Sequence, residues 1–470
     1  MSSKPVIDIH VHSSLKPYGN SFNPGLDSSD QKEPSCIWHE DKANWKDRLD
    51  ENALGVARYR QSDCTSLVQG MHHIACVSLY PMEVGFVQLQ KYPLQLRRKA
   101  IINFVTMLGK KRIEHIESDG YNYFNDFKKE LHYLMTMDGK VPNHGDHKYS
   151  MVVPENELDT QSDLLIIPTV EGGHFLCNGH DTENKANWDN TTNWKELSTR
   201  VLYVKNQPSP LFFVTLAHHF YNGLCTHAKS LFGIIEKVLD QKHGMDDYDH
   251  PSDLEPITPL GEKVIELLLS TNNGQRILID VKHMSKNARN RYYGILASDQ
   301  YKDEKIPIIY SHGACDFTEK TQINLNQRDV LEIYKSNGII GIEIDQRILG
   351  FKKDSSRNQN KAFFDSKSFW KQIITIAELA YDNDFDNPWQ CIALGSDYDG
   401  IINPLNSFRD ASSVGELRDN LIQHLNDYWS TNSKIPKNYK GNSSEIIHQI
   451  MYQNAFNFIQ KHYLRLNEIA

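Results

Sequence analysis

His10 and His12 stand one residue apart at the end of the apolar run Val6-Ile7-Asp8-Ile9-His10-Val11-His12. An extended chain repeats its side-chain direction every second residue, so both imidazoles leave one face and can ligate one divalent metal. Glu171 ends a second apolar run. Gly172 and Gly173 behind it let the backbone turn sharply and leave room beside the carboxylate. Asp280-Val281-Lys282-His283 and Tyr310-Ser311-His312 each end an apolar run in one imidazole, and Leu394-Gly395-Ser396-Asp397 ends one in a carboxylate. Taken singly, each residue has a plain structural explanation, as a hydrogen-bonded rim histidine or a turn-capping acid. Taken jointly, four imidazoles and a glutamate at strand ends match the ligand set of a zinc-like pair of ions. A carboxylate bridging two such ions, with a hydroxide also between them, supplies a nucleophile at neutral pH and a polarised carbonyl. Asp397 would take the hydroxide proton and pass it to the leaving amine. His218 and His219 follow Leu211–Ala217, which puts one of them on the same rim.

These groups meet only if the strands that carry them converge. Eight runs rich in β-branched residues recur: Val6–His12, Ile74–Tyr80, Leu164–Val170, Leu211–His218, Ile277–His283, Ile306–His312, Ile339–Asp345 and Cys391–Asp397. Each is nearly continuous in apolar residues, as in parallel strands buried on both faces. Helix-period segments separate them. Leu94–Ile116 places Ile101, Phe104, Val105 and Leu108 on one stripe, and Thr258-Pro259 caps a helix carrying Leu260, Val264, Leu267 and Leu268. The pattern predicts a (β/α)8 TIM-like barrel, with an open doubly wound sheet as the alternative. The barrel is favoured because its strand C-termini share one rim, where His10, His12, Glu171, His218, His283, His312 and Asp397 would meet. No linker or repeat divides residues 1–470, so one barrel domain is expected. Polar stretches at about 13–60, 139–160 and 177–200 read as long βα-loop insertions of the kind that wall active sites. Gly109-Lys110-Lys111-Arg112 reads as a solvated helix end.

The 51 Lys+Arg against 60 Asp+Glu leave a net charge of −9, which argues against a general nucleic-acid binder. No apolar run approaches the ~18 residues of a membrane helix, and no signal-peptide core follows Met1. Seven cysteines without a CxxC pair suit reduced thiols, so a cytoplasmic protein without membrane contact is expected. His72, His73, His144, His147, His174, His180 and His227 have no period linking them to the set and read as surface or structural residues.

The chain resembles the membrane dipeptidase (renal dipeptidase-like) metallopeptidases of the amidohydrolase superfamily. The resemblance runs through Val170-Glu171-Gly172-Gly173-His174, Thr215-Leu216-Ala217-His218 and Ile257-Thr258-Pro259-Leu260-Gly261. It continues through Ile279-Asp280-Val281-Lys282-His283-Met284-Ser285, Tyr310-Ser311-His312, Gly395-Ser396-Asp397-Tyr398-Asp399-Gly400 and Tyr452-Gln453-Asn454-Ala455-Phe456. It implies a binuclear hydrolase of an amide or peptide bond in a small dipeptide-like substrate, with two divalent ions, zinc first. Glu171 would bridge them, His10 and His12 would hold the first, and His283 and His312 the second. His218 would contact the substrate carbonyl and stabilise the oxyanion, and Asp397 would shuttle the proton without being a tight ligand. The resemblance also implies a homodimer.

Two departures stand out. The family usually has His-x-Asp where this chain has His10-Val11-His12, which raises the charge of the site by one. The family also carries an arginine after the last histidine ligand to hold the dipeptide carboxylate, whereas Gly313–Asn324 offers only Lys320. Lys320 is therefore the expected substrate-binding cation, and plain dipeptides are expected to be poorer substrates than N-acyl or C-blocked amides. Two other readings compete. One is a metal-dependent phosphoesterase of the polymerase-and-histidinol-phosphatase type, whose opening motif Ile7–Ser13 also resembles. The other is a non-catalytic, metal-stabilised binding barrel.

Overall fold

A computed structural model describes residues 4–47, 55–87, 95–177, 191–230, 255–351, 360–431 and 433–465. The β-branched runs form nine strands: β1 Val6–Val11, β2 His72–Leu79, β3 Tyr149–Met151, β4 Leu164–Glu171, β5 Phe213–Thr215, β6 Leu278–Asp280, β7 Ile309–Tyr310, β8 Ile339–Ile342 and β9 Ile392–Leu394. All pairings are parallel. β1 pairs with β2 and β9, and β2 with β4, and the ring continues through β5, β6, β7 and β8 back to β9. Eight strands thus close a (β/α)8 barrel, and all eight anticipated runs supply one. The apolar runs are continuous because helices cover the outer face while side chains fill the inner one. β3 is an extra strand, paired only with the start of β4, inside the stretch expected to be an irregular insertion.

Helices return the chain between strands, and several start where the residue types demand. Thr258 caps Pro259–Leu269 by accepting from the Gly261 N–H, with Leu260, Val264 and Leu268 buried. Asn326 and Asp329 form a reciprocal capping box on Gln327–Lys335. The C-terminal Asn454 donates through Nδ2 to the carbonyls of Trp389 and Ile392, which ties the last helix beneath β9.

Two carboxylates inside the barrel hold neighbouring strand ends in register. Asp8 Oδ1 accepts from the N–H groups of His10 and Ser396, joining β1 to the end of β9. Asp280 accepts from the Thr215 and Ser311 hydroxyls and from the N–H groups of Lys282 and Ser311, joining β5, β6 and β7. Close approach adds to this at Gly341 and Gly395. A Cβ on either would sit within 2 Å of the Ser311 carbonyl oxygen, so only glycine lets these three strand ends come together.

The expected helix over Leu94–Ile116 is two helices, Gln95–Thr106 and Lys110–Ile116, because Met107 and Gly109 take positive φ values of 56° and 88°. The break rotates the buried face. Ile102 and Leu108 are buried, while Phe104 is 41% exposed beneath the Arg58 guanidinium. Arg112 is not solvated either: it is buried in an ion pair with Asp126 and packs over Tyr18. The expected insertion at 177–200 runs into the helix Thr191–Lys205, and residues 178–190 lie outside the described residues.

Candidate metal centre

Glu171 ends β4 and points into the rim, with Gly172 at φ 95° turning the chain away behind it. Its two oxygens face different imidazoles. Oε2 lies 3.1 Å from His12 Nε2 and 3.5 Å from His218 Nε2. Oε1 lies 3.1 Å from His283 Nε2, 3.3 Å from His312 Nε2 and 3.8 Å from His10 Nε2. Asp397 closes the opposite side, with Oδ1 3.3 Å from His12 Nε2 and 3.6 Å from His10 Nε2. His283 and Asp397 both adopt positive φ, 63° and 60°, a conformation that aims each side chain off its strand end toward the centre. The structure thus brings His10, His12, Glu171, His218, His283, His312 and Asp397 to one rim.

Burial and mutual charge set the electrostatics. Burial raises the Glu171 carboxyl, but His218, His12 and His283 outweigh it and hold the group well below its usual range. Burial pushes His283 down to about 3 and His10 and His312 well below their ordinary value, which keeps their ring nitrogens neutral. His12 moves the other way, to about 10: burial lowers it, but the Asp397 and Glu171 carboxylates beside it prevail. The point between those two carboxylates therefore favours positive charge.

The donors fit divalent ions. His10, His12, Glu171 and Asp397 offer ligand atoms within 4.8 Å of one another, and so do Glu171, His283 and His312. Glu171 belongs to both groups. The Nδ1 atoms of His10, His12 and His283 and the Oδ1 of Asp397 are buried without hydrogen-bond partners. Nitrogen and carboxylate oxygen together suit zinc and its neighbours.

The cleft above this centre has a cavity volume of about 60 Å³. Tyr80 and Phe86 form part of one wall, and Ile323, Arg347 and Ile348 part of another. Lys320 does not line it. The side chain is exposed, its loop is tied down at Asp316, and the residue this loop sends into the cleft is Ile323.

Four contributors were not identified from the sequence. Glu83, four residues past β2, takes the Nδ1–H of His218 and the hydroxyl of Tyr80, both at 2.7 Å. Burial raises its carboxyl, but His218 and His174 pull it down to about 2. Lys282 and Glu343 form a buried ion pair of 3.3 Å at the cleft floor. Arg347 stands on the wall, held against Asp345. An acid just past a strand end was a readable signal for Glu343, as it had been for Glu171. For Arg347 the pattern carried none. His174 is buried, with Nε2 2.7 Å from the Pro81 carbonyl and Nδ1 3.8 Å from Glu83 Oε1.

Residues 239–455 match the membrane dipeptidase family, peptidase family M19, so the resemblance seen in the sequence motifs is shown. The matched span contains His283, His312 and Asp397, whereas His10, His12, Glu171 and His218 lie before it and join them through the fold. No curated protein sequence matches the chain. Among solved structures, the metallopeptidase dipeptidase AC of family M19 superposes with a TM-score of 0.55 at 11% identity, covering 98% of this chain and 99% of the other. A metallopeptidase from Rhodobacter sphaeroides, liganded with a phosphinate mimic of the dipeptide L-Ala-D-Ala, gives 0.57 at 11% identity over 98% and 100%. At that identity the likeness speaks for the barrel. Family match and fold together make the chain a metal-dependent hydrolase.

Proposed function

We propose that the chain is a binuclear metal-dependent hydrolase that cleaves the amide bond of a dipeptide-like substrate. The observation that carries this reading is Glu171. Its Oε2 faces His12 and its Oε1 faces His283 and His312, the arrangement a bridging carboxylate needs. His10 and His12 would hold one ion, and His283 and His312 the other. When bound, the ions acidify a water and polarise the scissile carbonyl.

The chain's own groups supply the rest. Asp397, across the centre from Glu171, takes the proton of the attacking water at Oδ1 and returns it to the leaving amine. Glu83 fixes His218 with its proton on Nδ1. Where His218 carries a second proton, its Nε2–H donates to the substrate carbonyl oxygen as negative charge develops there. Burial lowers the pKa of His218, but Glu83 and Glu171 raise it above its ordinary value, which favours that donor state. Arg347 replaces Lys320 as the cation offered to the substrate. Asp345 occupies its Nε and Nη2, and Nη1 has no partner among the described residues. A guanidinium on the cleft wall removes the reason for expecting plain dipeptides to be poor substrates.

Among the described residues no helix is long and apolar enough to cross a membrane. The free cysteines support a reducing compartment, so we place the enzyme in the cytoplasm without membrane contact; the family resemblance suggests a homodimer. The test is metal analysis of the purified protein together with hydrolysis of a dipeptide panel after zinc loading. Two ions per chain and released amino acids are expected. No ion after zinc loading, or full occupancy without amide cleavage, would overturn the reading.

A further inference from the structure

We propose that Glu343 is an additional ligand of the metal centre, contributed by the strand between those of His312 and Asp397 and positioned by Lys282. The proposal rests on the binuclear reading. Glu343 directly follows β8, and its N–H donates to the Gly313 carbonyl at 2.9 Å, which ties it to the backbone just past His312. Its side chain, Asp397 and His312 offer ligand atoms that all lie within 4.8 Å of one another, and all three are buried. Gly341 and Gly395 allow this approach through their contact with the Ser311 carbonyl.

The plain alternative is a structural ion pair between Lys282 and Glu343. The pair exists, but it leaves charge unanswered. Lys282 meets Oε2 of Glu343, while Oε1 has no partner among the described residues. Asp397 Oδ1 is buried, with no hydrogen bond, and faces the His12 and His10 imidazoles at 3.3 and 3.6 Å. Glu171, Glu343 and Asp397 thus put three carboxylates around one floor, which Lys282 and, in the metal-free centre, the protonated His12 only partly offset. Like charges this close and this buried are costly unless a cation lies between them. A divalent ion held by His312 and Glu343, with Asp397 beside it, removes that cost. As a ligand, the Glu343 carboxylate also supplies the negative charge that His12, standing where a carboxylate usually does, takes from the site. Lys282 then acts as a positioning residue, holding Oε2 so that Oε1 faces inward.

Glu343→Gln is compared with wild-type protein by metal content, chelator competition and the visible spectrum of the cobalt-substituted form. One of two ions should bind about 10-fold to 100-fold more weakly or more, with an altered cobalt spectrum, while the other is unchanged. Glu343→Asp should recover part of the affinity. Because Glu343→Gln leaves Lys282 buried and unpaired, the double variant Glu343→Gln/Lys282→Met is measured too and should show the same loss. Unchanged chelator competition and cobalt spectrum in both variants would overturn the proposal, as would an effect confined to KM, which would place Glu343 on the substrate. Wild-type protein that takes up two ions while the variants match it sinks this proposal alone. Wild-type protein that takes up none sinks the binuclear reading with it.

Discussion

Glu83 holds His218 by a 2.7 Å hydrogen bond from the imidazole Nδ1, and the two come from different strand ends of the barrel. The same carboxylate takes the Tyr80 hydroxyl and the Phe220 N–H, so His218 is oriented by a group that is itself fixed by two further donors.

Glu83→Gln keeps the shape and removes the charge. Loss of the negative charge that fixes the proton on Nδ1 and favours the doubly protonated ring should lower kcat/KM by roughly 10-fold to 100-fold. It should also alter the pH dependence of stability. A carboxyl held at about 2 in the folded protein, against 4.5 ordinarily, contributes stability that is full above 4.5 and lost as pH falls toward 2. His218 has the opposite sign: its raised value contributes below about 6.5 and the contribution fades as pH rises. Denaturant midpoints of the variant and the wild-type protein should therefore differ most between pH 4.5 and 6.5, where both contributions are present. A constant difference from pH 3 to 8 would refute the coupling.

Glu171→Gln should lose both ions. An amide cannot offset two dications, and the neutral oxygen bridges weakly. Elemental analysis after zinc loading is the measurement, with circular dichroism confirming the fold. Full retention of two ions would remove Glu171 from its bridging role.

Asp397→Asn separates proton transfer from metal binding. Oδ1 of Asp397 lies 3.3 Å from His12 Nε2, close enough to belong to a ligand group, yet its proposed role is to carry a proton. The variant should keep two ions and lose at least about 100-fold in kcat, since general acid–base groups contribute 10²–10⁴-fold. Loss of an ion would make Asp397 a ligand first, and near wild-type kcat would end its role as shuttle.

The barrel was legible because its strands are buried on both faces, which makes each an unbroken apolar run ending in one polar residue. That signal is local, so β1 and β4 were readable together with His10, His12 and Glu171. The signals that failed depend on contacts distant in sequence. Arg112 looks like part of a basic cluster, and only Asp126 makes it a buried ion pair. Lys320 was sought because of its place after His312, yet that loop is tied down at Asp316 and turns Ile323 into the cleft. Glu83 lies past Pro81, beyond the end of an apolar run, and only the closure of β2 against β4 brings it to His218.

Arg347, on the cleft wall, is expected to decide the substrate tail. Asp345 is buried and meets the guanidinium from behind, which both aims it and offsets part of its charge. The Nη2 group also donates to the Ile401 carbonyl at 3.3 Å, so the planar fork is immobilised and Nη1 is the edge left for a ligand. A carboxylate would gain a charge-assisted hydrogen bond there without the side chain losing further freedom. Plain dipeptides should accordingly exceed their C-terminal amides in kcat/KM, by about 10-fold for one such bond of roughly 1.5 kcal/mol. Arg347→Met should erase that preference mainly through KM, leaving the hydrolysis of C-blocked amides within about two-fold. Arg347→Lys should recover little, because an ammonium cannot be held by Asp345 in the same plane. A panel of dipeptides and their amides on zinc-loaded enzyme measures all three. Wild-type enzyme that favours the amides, or a preference that survives in Arg347→Met, would show that the substrate's tail is read elsewhere on the cleft wall.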